Sequence, residues 1–296
     1  MPSSRVLLLV GHGTISNVDD IPEFLRRIRR GRPASAELVG EIRRRYTHIG
    51  RSPLLDTTNA VAAALADRLG FDARVAMRFW HPFIEDVASA LVRDKVREVC
   101  ILPVAPFSVS VYADVVAEAI ARVAASPEAA PRLSRVPPFG SHPALITAHA
   151  ENIRRVLSKD DGDYTELVLS AHSLPTRVIA AGDNYQREFE ASAHLVEAAL
   201  GVTARIAYQS QGADGGDWLG PRLDDTIRAV HDAGKKRVVV APIGFLADHV
   251  ETLYDLDVEA AEQARALGLE FDRVPALNDD PRLLDALEAV VRNALA

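Results

Sequence analysis

Sulfur is scarce in this sequence: one cysteine, Cys100, and two methionines in 296 residues. A single thiol excludes an intramolecular disulfide framework, and it excludes an iron–sulfur cluster held by several cysteines of one chain. Cys100 falls inside an apolar run, where a thiol usually serves as a small hydrophobe. No apolar run is long enough to cross a bilayer, and the five apolar residues before Gly11 are too few for the core of a signal peptide. A basic excess is missing as well. The chain has 34 lysines and arginines against 41 acidic residues, a net charge of −7, the reverse of a nucleic-acid-binding footprint. What remains, 48% apolar and 25% charged, is ordinary globular composition at a length that suits two domains. These features predict a cytoplasmic α/β protein with no transmembrane segment and no nucleic-acid partner. No heptad or long exposed apolar stretch suggests assembly, so a monomer or weak oligomer is expected.

Familiar catalytic motifs are also absent. The turn Gly11-His12-Gly13-Thr14 lacks the third glycine and the lysine that would cradle a phosphate. The glycine-rich run Gly212–Gly220 has no G-x-G-x-x-G spacing. There is no G-x-S-x-G, so a serine nucleophile elbow is not supported.

An internal repeat is present instead. AVAAALADRLGFDARVAM (60–77) corresponds to ASAHLVEAALGVTARIAY (191–208) at a shift of 131, with Gly70 matching Gly201. At a shift of 139, Pro82, Val99 and Pro103 fall on Pro221, Val238 and Pro242. The opening run VLLLVGHG (6–13) resembles LVLSAHSL (167–174), with His12 set against His172. Three matches in one order indicate duplication. Each half reads strand, helix, strand, helix, strand, helix. The continuously apolar runs Val6–Val10, Val99–Val104, Leu167–Leu169 and Val238–Ala241 suit strands covered on both faces. The expected fold is therefore α/β: two duplicated Rossmann-like domains, each a parallel doubly wound sheet. The boundary is placed at 142/143, giving domains 1–142 and 143–296, with the C-terminal helix packing back on the first. The segment Ser126–Pro143 marks the boundary by its proline, serine and glycine. A polar turn, Lys159–Asp163, then opens the second half.

In such sheets ligands sit at the carboxyl ends of the strands. The segment after the last strong strand carries Glu251, Asp255 and Glu259 at i, i+4 and i+8. A regular helix would set them in one row, ~6 Å apart along its axis. On an arbitrary helix such a row is a solvated acidic face. Here it starts at a strand end and follows His249, and oxygen ligands with an imidazole suit a divalent metal such as Fe²⁺. His172 ends another strand, where a histidine is often only a hydrogen-bonded cap. Neutral imidazole can also ligate metal or accept a proton near neutral pH.

Together these residues carry a resemblance. Ser170-Ala-His-Ser-Leu-Pro175, Tyr208-Gln-Ser210 with Trp218-Leu-Gly-Pro221, and Pro242-Ile-Gly-Phe-Leu-Ala-Asp-His-Val-Glu-Thr-Leu-Tyr-Asp255 resemble the ferrochelatase signature. The likeness continues through Arg26–Arg32, Arg44-Arg-Tyr46, Ser52-Pro-Leu54 and Ala276-Leu-Asn-Asp279, and so covers nearly the whole chain. The resemblance implies the chelatase fold and insertion of ferrous iron into a porphyrin for haem biosynthesis. Fe²⁺ is then a substrate and no cofactor is required. It also implies His172 as metal ligand and pyrrole proton acceptor, with Glu251 facing it and Asp255 and Glu259 continuing the path of the metal. Arg29, Arg45, Tyr46, Ser52 and Tyr112 resemble the porphyrin-binding set of the compact bacterial enzymes, arginine being suited to propionates because it pairs carboxylates bidentately, and His12 is a further porphyrin-binding candidate. Met77–Pro82 resembles the pocket lining.

One position departs from the compact bacterial enzymes, which carry tyrosine where this chain has His12. Sirohydrochlorin chelatases carry a Gly-His-Gly-like motif there and bind metal with the histidine. His12 is therefore a further metal candidate, and the alternative is a replaced pocket residue of little consequence. The acidic, compact chain without an apolar lip favours coproporphyrin III over protoporphyrin IX. Competing readings are a sirohydrochlorin-type chelatase built on His12 and a non-catalytic haem or porphyrin carrier.

Overall fold

The apolar runs become the inner strands of two parallel sheets in the computed structural model, which describes residues 4–157, 162–212 and 216–296. The first sheet contains β1 (Arg5–Gly11), β2 (Asp72–Met77), β3 (Glu98–Pro103) and β4 (Arg132–Arg135), in the order β2-β1-β3-β4. The second contains β5 (Thr165–His172), β6 (Arg205–Gln209), β7 (Arg237–Ala241) and β8 (Glu270–Arg273), in the order β6-β5-β7-β8. Every pairing is parallel. The expected turn Lys159–Asp163 and the glycine-rich run Gly212–Gly220 lie partly outside the described residues.

β4 and β8 are additions to the sequence reading. Their sequences, RLSR and EFDR, lack the apolar run that betrays a buried strand. Charge suits an edge, where it discourages pairing with other chains. The ladder partners Glu98 and Arg132 recur as Arg237 and Glu270 with the signs exchanged. Cys100 lies fully buried in β3, and burial pushes its thiol up to about 12, far from thiolate chemistry.

Local chemistry repeats along with topology. The helix Leu54–Leu69 ends at Gly70 with φ 74°, and Tyr185–Leu200 ends at Gly201 with φ 71°. Both glycines supply the left-handed cap that returns the chain to an edge strand. Met77 N–H donates to the Pro82 carbonyl at 2.7 Å, and Tyr208 N–H to that of Pro221 at 2.8 Å. Register pairs Gly11 with Met77 and Ala171 with Tyr208. His12 and His172 therefore follow equivalent strand positions, at a shift of 160. End-to-end alignment of the two eight-residue runs would have set His12 against Ser173.

The chain divides into two compact units. The first comprises Met1–Ala105, Val109–Pro137 and Asn278–Ala296, and the second Pro106–Ser108 and Pro138–Leu277. The division thus falls at 137/138 in place of 142/143, and the last helix is counted with the first unit. That helix, Pro281–Leu295, starts at Asp280, whose carboxylate accepts from Arg282 N–H, and it buries Leu283, Leu287, Val290 and Val291. Arg68 reaches from the helix Leu54–Leu69 to Asp285 at 2.6 Å.

In the second unit the helix Pro143–Arg154 packs on the sheet through Ile146 and Ile153. His149 on this helix is 5% exposed, its Nε2 has no hydrogen-bond partner, and it borders a small cavity with Asn152, Phe245 and Val274. Burial disfavours the imidazolium and lowers its pKa from 6.5 to about 4. The unfolded chain then binds more protons than the folded one between these values. Stability is full above pH 6.5 and falls as the pH drops from 6.5 toward about 4. The expected loss is about 3 kcal/mol. Urea titrations of the wild type and His149→Phe across that range should diverge by this amount, with the variant showing the flatter curve.

Candidate active site

β5 delivers His172 to the end of its sheet, and the following Leu174-Pro175 turns the chain away. The His172 Nδ1 lies in hydrogen-bond contact with the Ser173 carbonyl, so that nitrogen carries the proton and Nε2 is the nitrogen presented. Glu251 arrives from the loop after β7. Its approach depends on Gly244, where an added Cβ would stand 2.5 Å from the Ala171 Cβ. The loop therefore crosses directly over the end of β5, which a side chain at 244 would prevent.

Three contacts then fix Glu251. Its Oε1 is 3.6 Å from His172 Nε2 and its Oε2 is 3.5 Å from His249 Nε2. Its carbonyl accepts from Gln209 Nε2 at 3.2 Å, and the Gln209 amide is itself oriented by the Ser170 hydroxyl at 2.7 Å. His249 repeats the logic of His172: Nδ1 donates to the Ala247 carbonyl at 3.1 Å, which leaves Nε2 for the carboxylate. His249 also caps the short helix Val250–Leu253, with its N–H donating to Thr252 Oγ1 at 3.0 Å. The sequence marks His249 as the imidazole ahead of the acidic row, but gives no sign that it pairs with Glu251.

Burial is the strongest single influence on both titrations and opposes charge on each partner. The opposed charges outweigh it. The Glu251 carboxylate, the Ser173 carbonyl and Asp255 hold His172 above the ordinary imidazole value. His172 and His249 hold Glu251 well below the carboxylate range. The contact thus keeps Glu251 a carboxylate and makes the half-buried His172 imidazole a stronger base. Such a site can exchange its proton for a cation.

The regular acidic row does not form. Val250–Leu253 is α-helical, but Asp255–Ala260 is a π-helix in which the Tyr254 carbonyl accepts from both Val258 N–H (3.0 Å) and Glu259 N–H (3.1 Å). The wider turn breaks the i, i+4, i+8 alignment, which requires 3.6 residues per turn throughout. Asp255 is buried and accepts from the Ser210 hydroxyl, whereas Asp257 and Glu259 are exposed. Among the described residues, no group of three or more His, Cys, Asp or Glu side chains is arranged to hold a metal ion.

The remaining candidates lie in the first unit. His12 is exposed after β1, with its ring 4.7 Å from that of Phe79. Arg78 stacks on Phe79 at 4.9 Å and on Tyr112 at 5.9 Å, so His12 and Tyr112 join one cluster of rings and a guanidinium. Tyr46 is buried, with its hydroxyl 3.1 Å from Thr14 Oγ1. Arg45 pairs with Glu41 at 2.7 Å, and Arg29 caps the helix Ile21–Ile28. Ser52 is 2% exposed and its hydroxyl has no hydrogen-bond partner, an uncommon condition that a substrate oxygen would relieve. Arg26 and Arg27 both pair with Glu23, so that part of the arginine cluster is a helix face balancing its own charge.

The ion pair makes a testable statement about the metal-free protein. In an NMR titration, the His172 imidazole should lose its proton above pH 6.5. In Glu251→Gln the midpoint should move down, because the compensating charge is gone while the burial remains. An unmoved midpoint would remove the electrostatic coupling.

Comparison with known proteins gives the family. The ferrochelatase family model matches residues 5–295. A ferrochelatase of Acidobacterium capsulatum is 33% identical over 100% of this chain and 96% of its own length. A coproporphyrin III ferrochelatase of Anoxybacillus flavithermus is 32% identical over 98% of this chain and 96% of its own. Among solved structures, SirB from Bacillus subtilis with Fe³⁺ superposes with a TM-score of 0.65 at 14% identity, covering 99% of this chain and 96% of that one. That likeness establishes the fold, a duplicated Rossmann-like chelatase architecture. No helix among the described residues is long and apolar enough to cross a membrane. The chain belongs to the ferrochelatase family and is a metal-inserting enzyme of haem biosynthesis.

Proposed function

We propose that this enzyme inserts Fe²⁺ into coproporphyrin III in preference to protoporphyrin IX, with His172 and Glu251 as its catalytic pair. The observation that carries the assignment is the 3.6 Å approach of His172 Nε2 to Glu251 Oε1 at a strand end. Insertion replaces two pyrrole protons with one dication. In its neutral form His172 accepts one pyrrole proton at Nε2, the Glu251 carboxylate stabilises the imidazolium that results, and the second pyrrole proton leaves to water. The same two groups offer nitrogen and oxygen to iron as it sheds water. Asp255 and Glu259 supply carboxylate oxygens along its approach, which suits a transferred cation better than a stored one. Iron is a substrate, and neither a cofactor nor an iron–sulfur cluster takes part.

Substrate carboxylates fall to Arg29, Arg45, Tyr46, Ser52 and Tyr112. Coproporphyrin III has more carboxylates to satisfy than protoporphyrin IX, which fits the arginine-rich first unit and the name of the Anoxybacillus relative. His12 serves as an imidazole contact for the macrocycle or its iron. The enzyme acts in the cytoplasm as a monomer or weak oligomer.

Anaerobic insertion of Fe²⁺, followed by loss of porphyrin fluorescence, tests the assignment. Turnover should be faster on coproporphyrin III than on protoporphyrin IX, and His172→Ala should lower kcat at least about 100-fold. Tight binding of both porphyrins without turnover would favour the carrier or sirohydrochlorin reading instead. His12→Phe should change the absorption of the product complex, and an unaltered spectrum with unaltered turnover would remove His12 from the site.

A further inference from the structure

The π-helix raises a question of support. Six residues, Asp255–Ala260, keep a geometry that is rare in proteins, and two N–H groups share the Tyr254 carbonyl where it begins. Arg273, the last residue of β8, supplies an external hold. Its side chain is 11% exposed. Nε and Nη2 donate to the two oxygens of Asp257 at 2.6 and 3.1 Å, in the fork geometry that only arginine offers. Nη1 donates to Asp248 Oδ1 at 2.8 Å.

The two carboxylates flank Glu251 in sequence. Asp248 precedes His249 and accepts from Thr252 Oγ1 at 3.0 Å, the same hydroxyl that receives the His249 N–H. Asp257 lies inside the π-helix, two residues past the buried Asp255. One guanidinium therefore ties down both ends of the segment that presents Glu251. We propose that Arg273 is a positioning residue that clamps this segment in its metal-receiving form, with Asp257 as the outer anchor. The inference rests on the assignment of His172 and Glu251 as the metal-handling pair.

Asp257 is the exposed partner, and Arg273 keeps Asp248 when Asp257 is changed, so loss of this one pair costs little global stability. Its loss should instead let Asp255–Ala260 relax toward an ordinary α-turn, which moves Asp255 relative to Glu251. The effect then belongs to the metal and not to the porphyrin.

The test uses the full chain, Fe²⁺ and the porphyrin that the wild type turns over. Asp257→Asn should raise KM for Fe²⁺ about fivefold or more, with KM for porphyrin within about twofold. Its Tm should stay within about 3 °C of the wild type. Asp257→Glu, which restores the carboxylate, should recover most of the loss in KM for iron. Arg273→Lys, a point charge that cannot span both acids, should behave like Asp257→Asn. An unchanged KM for Fe²⁺ in Asp257→Asn would overturn the clamp, as would a defect confined to kcat or to porphyrin KM. Undiminished turnover in His172→Ala is a separate result, and it would overturn the catalytic pair and the clamp together.

Discussion

Everything at this site depends on keeping one carboxylate, Glu251, ionised while it is half withdrawn from water. An isolated carboxylate in that position would take up a proton. Two imidazoles prevent this, each tied through Nδ1 to a backbone carbonyl so that Nε2 faces the acid. The arrangement needs His172 at a strand end, a glycine at 244 to let the next loop cross β5, and Gln209 on the neighbouring strand to hold the Glu251 carbonyl. The order β6-β5-β7 is what puts these three contributions side by side.

Much of this was legible in the sequence. Apolar runs identified β1, β3, β5 and β7 because these strands are covered on both faces, and paired glycines fixed the helix ends at 70 and 201. His172 and Glu251 could be singled out because both follow strands in a fold that gathers ligands there. The edge strands β4 and β8 escaped because their four residues are mostly polar. The straight acidic row was wrong for a different reason. Periodicity reasoning assumes 3.6 residues per turn, and no local feature of Asp-Leu-Asp-Val-Glu-Ala announces a π-helix. Its support comes from Arg273, far enough away in sequence that only the folded chain brings the two together.

The arginine cluster near the N-terminus shows the same limit from the opposite side. Seen as sequence, Arg26–Arg32 is one patch of positive charge. In the structure, Arg26 and Arg27 share the single carboxylate of Glu23, and Arg27 also stacks on Phe83 at 4.2 Å. Composition alone therefore overstates the charge available to a carboxylated substrate, while the orphaned hydroxyl of Ser52 is invisible to any count.

Duplication has given the two units one topology and different chemistry. His12 and His172 stand at equivalent positions after equivalent strands, yet their surroundings diverge. The helix after β3, Val109–Val123, has no acidic residue in its first turn, whereas the helix after β7 opens with Glu251. Around His12 the neighbours are Phe79, Arg78 and Tyr112, a cation on aromatic faces. The histidine in the second unit is made more basic by its carboxylate and is suited to accepting a proton. In the second unit it is the segment after β7 that sets a carboxylate beside the histidine.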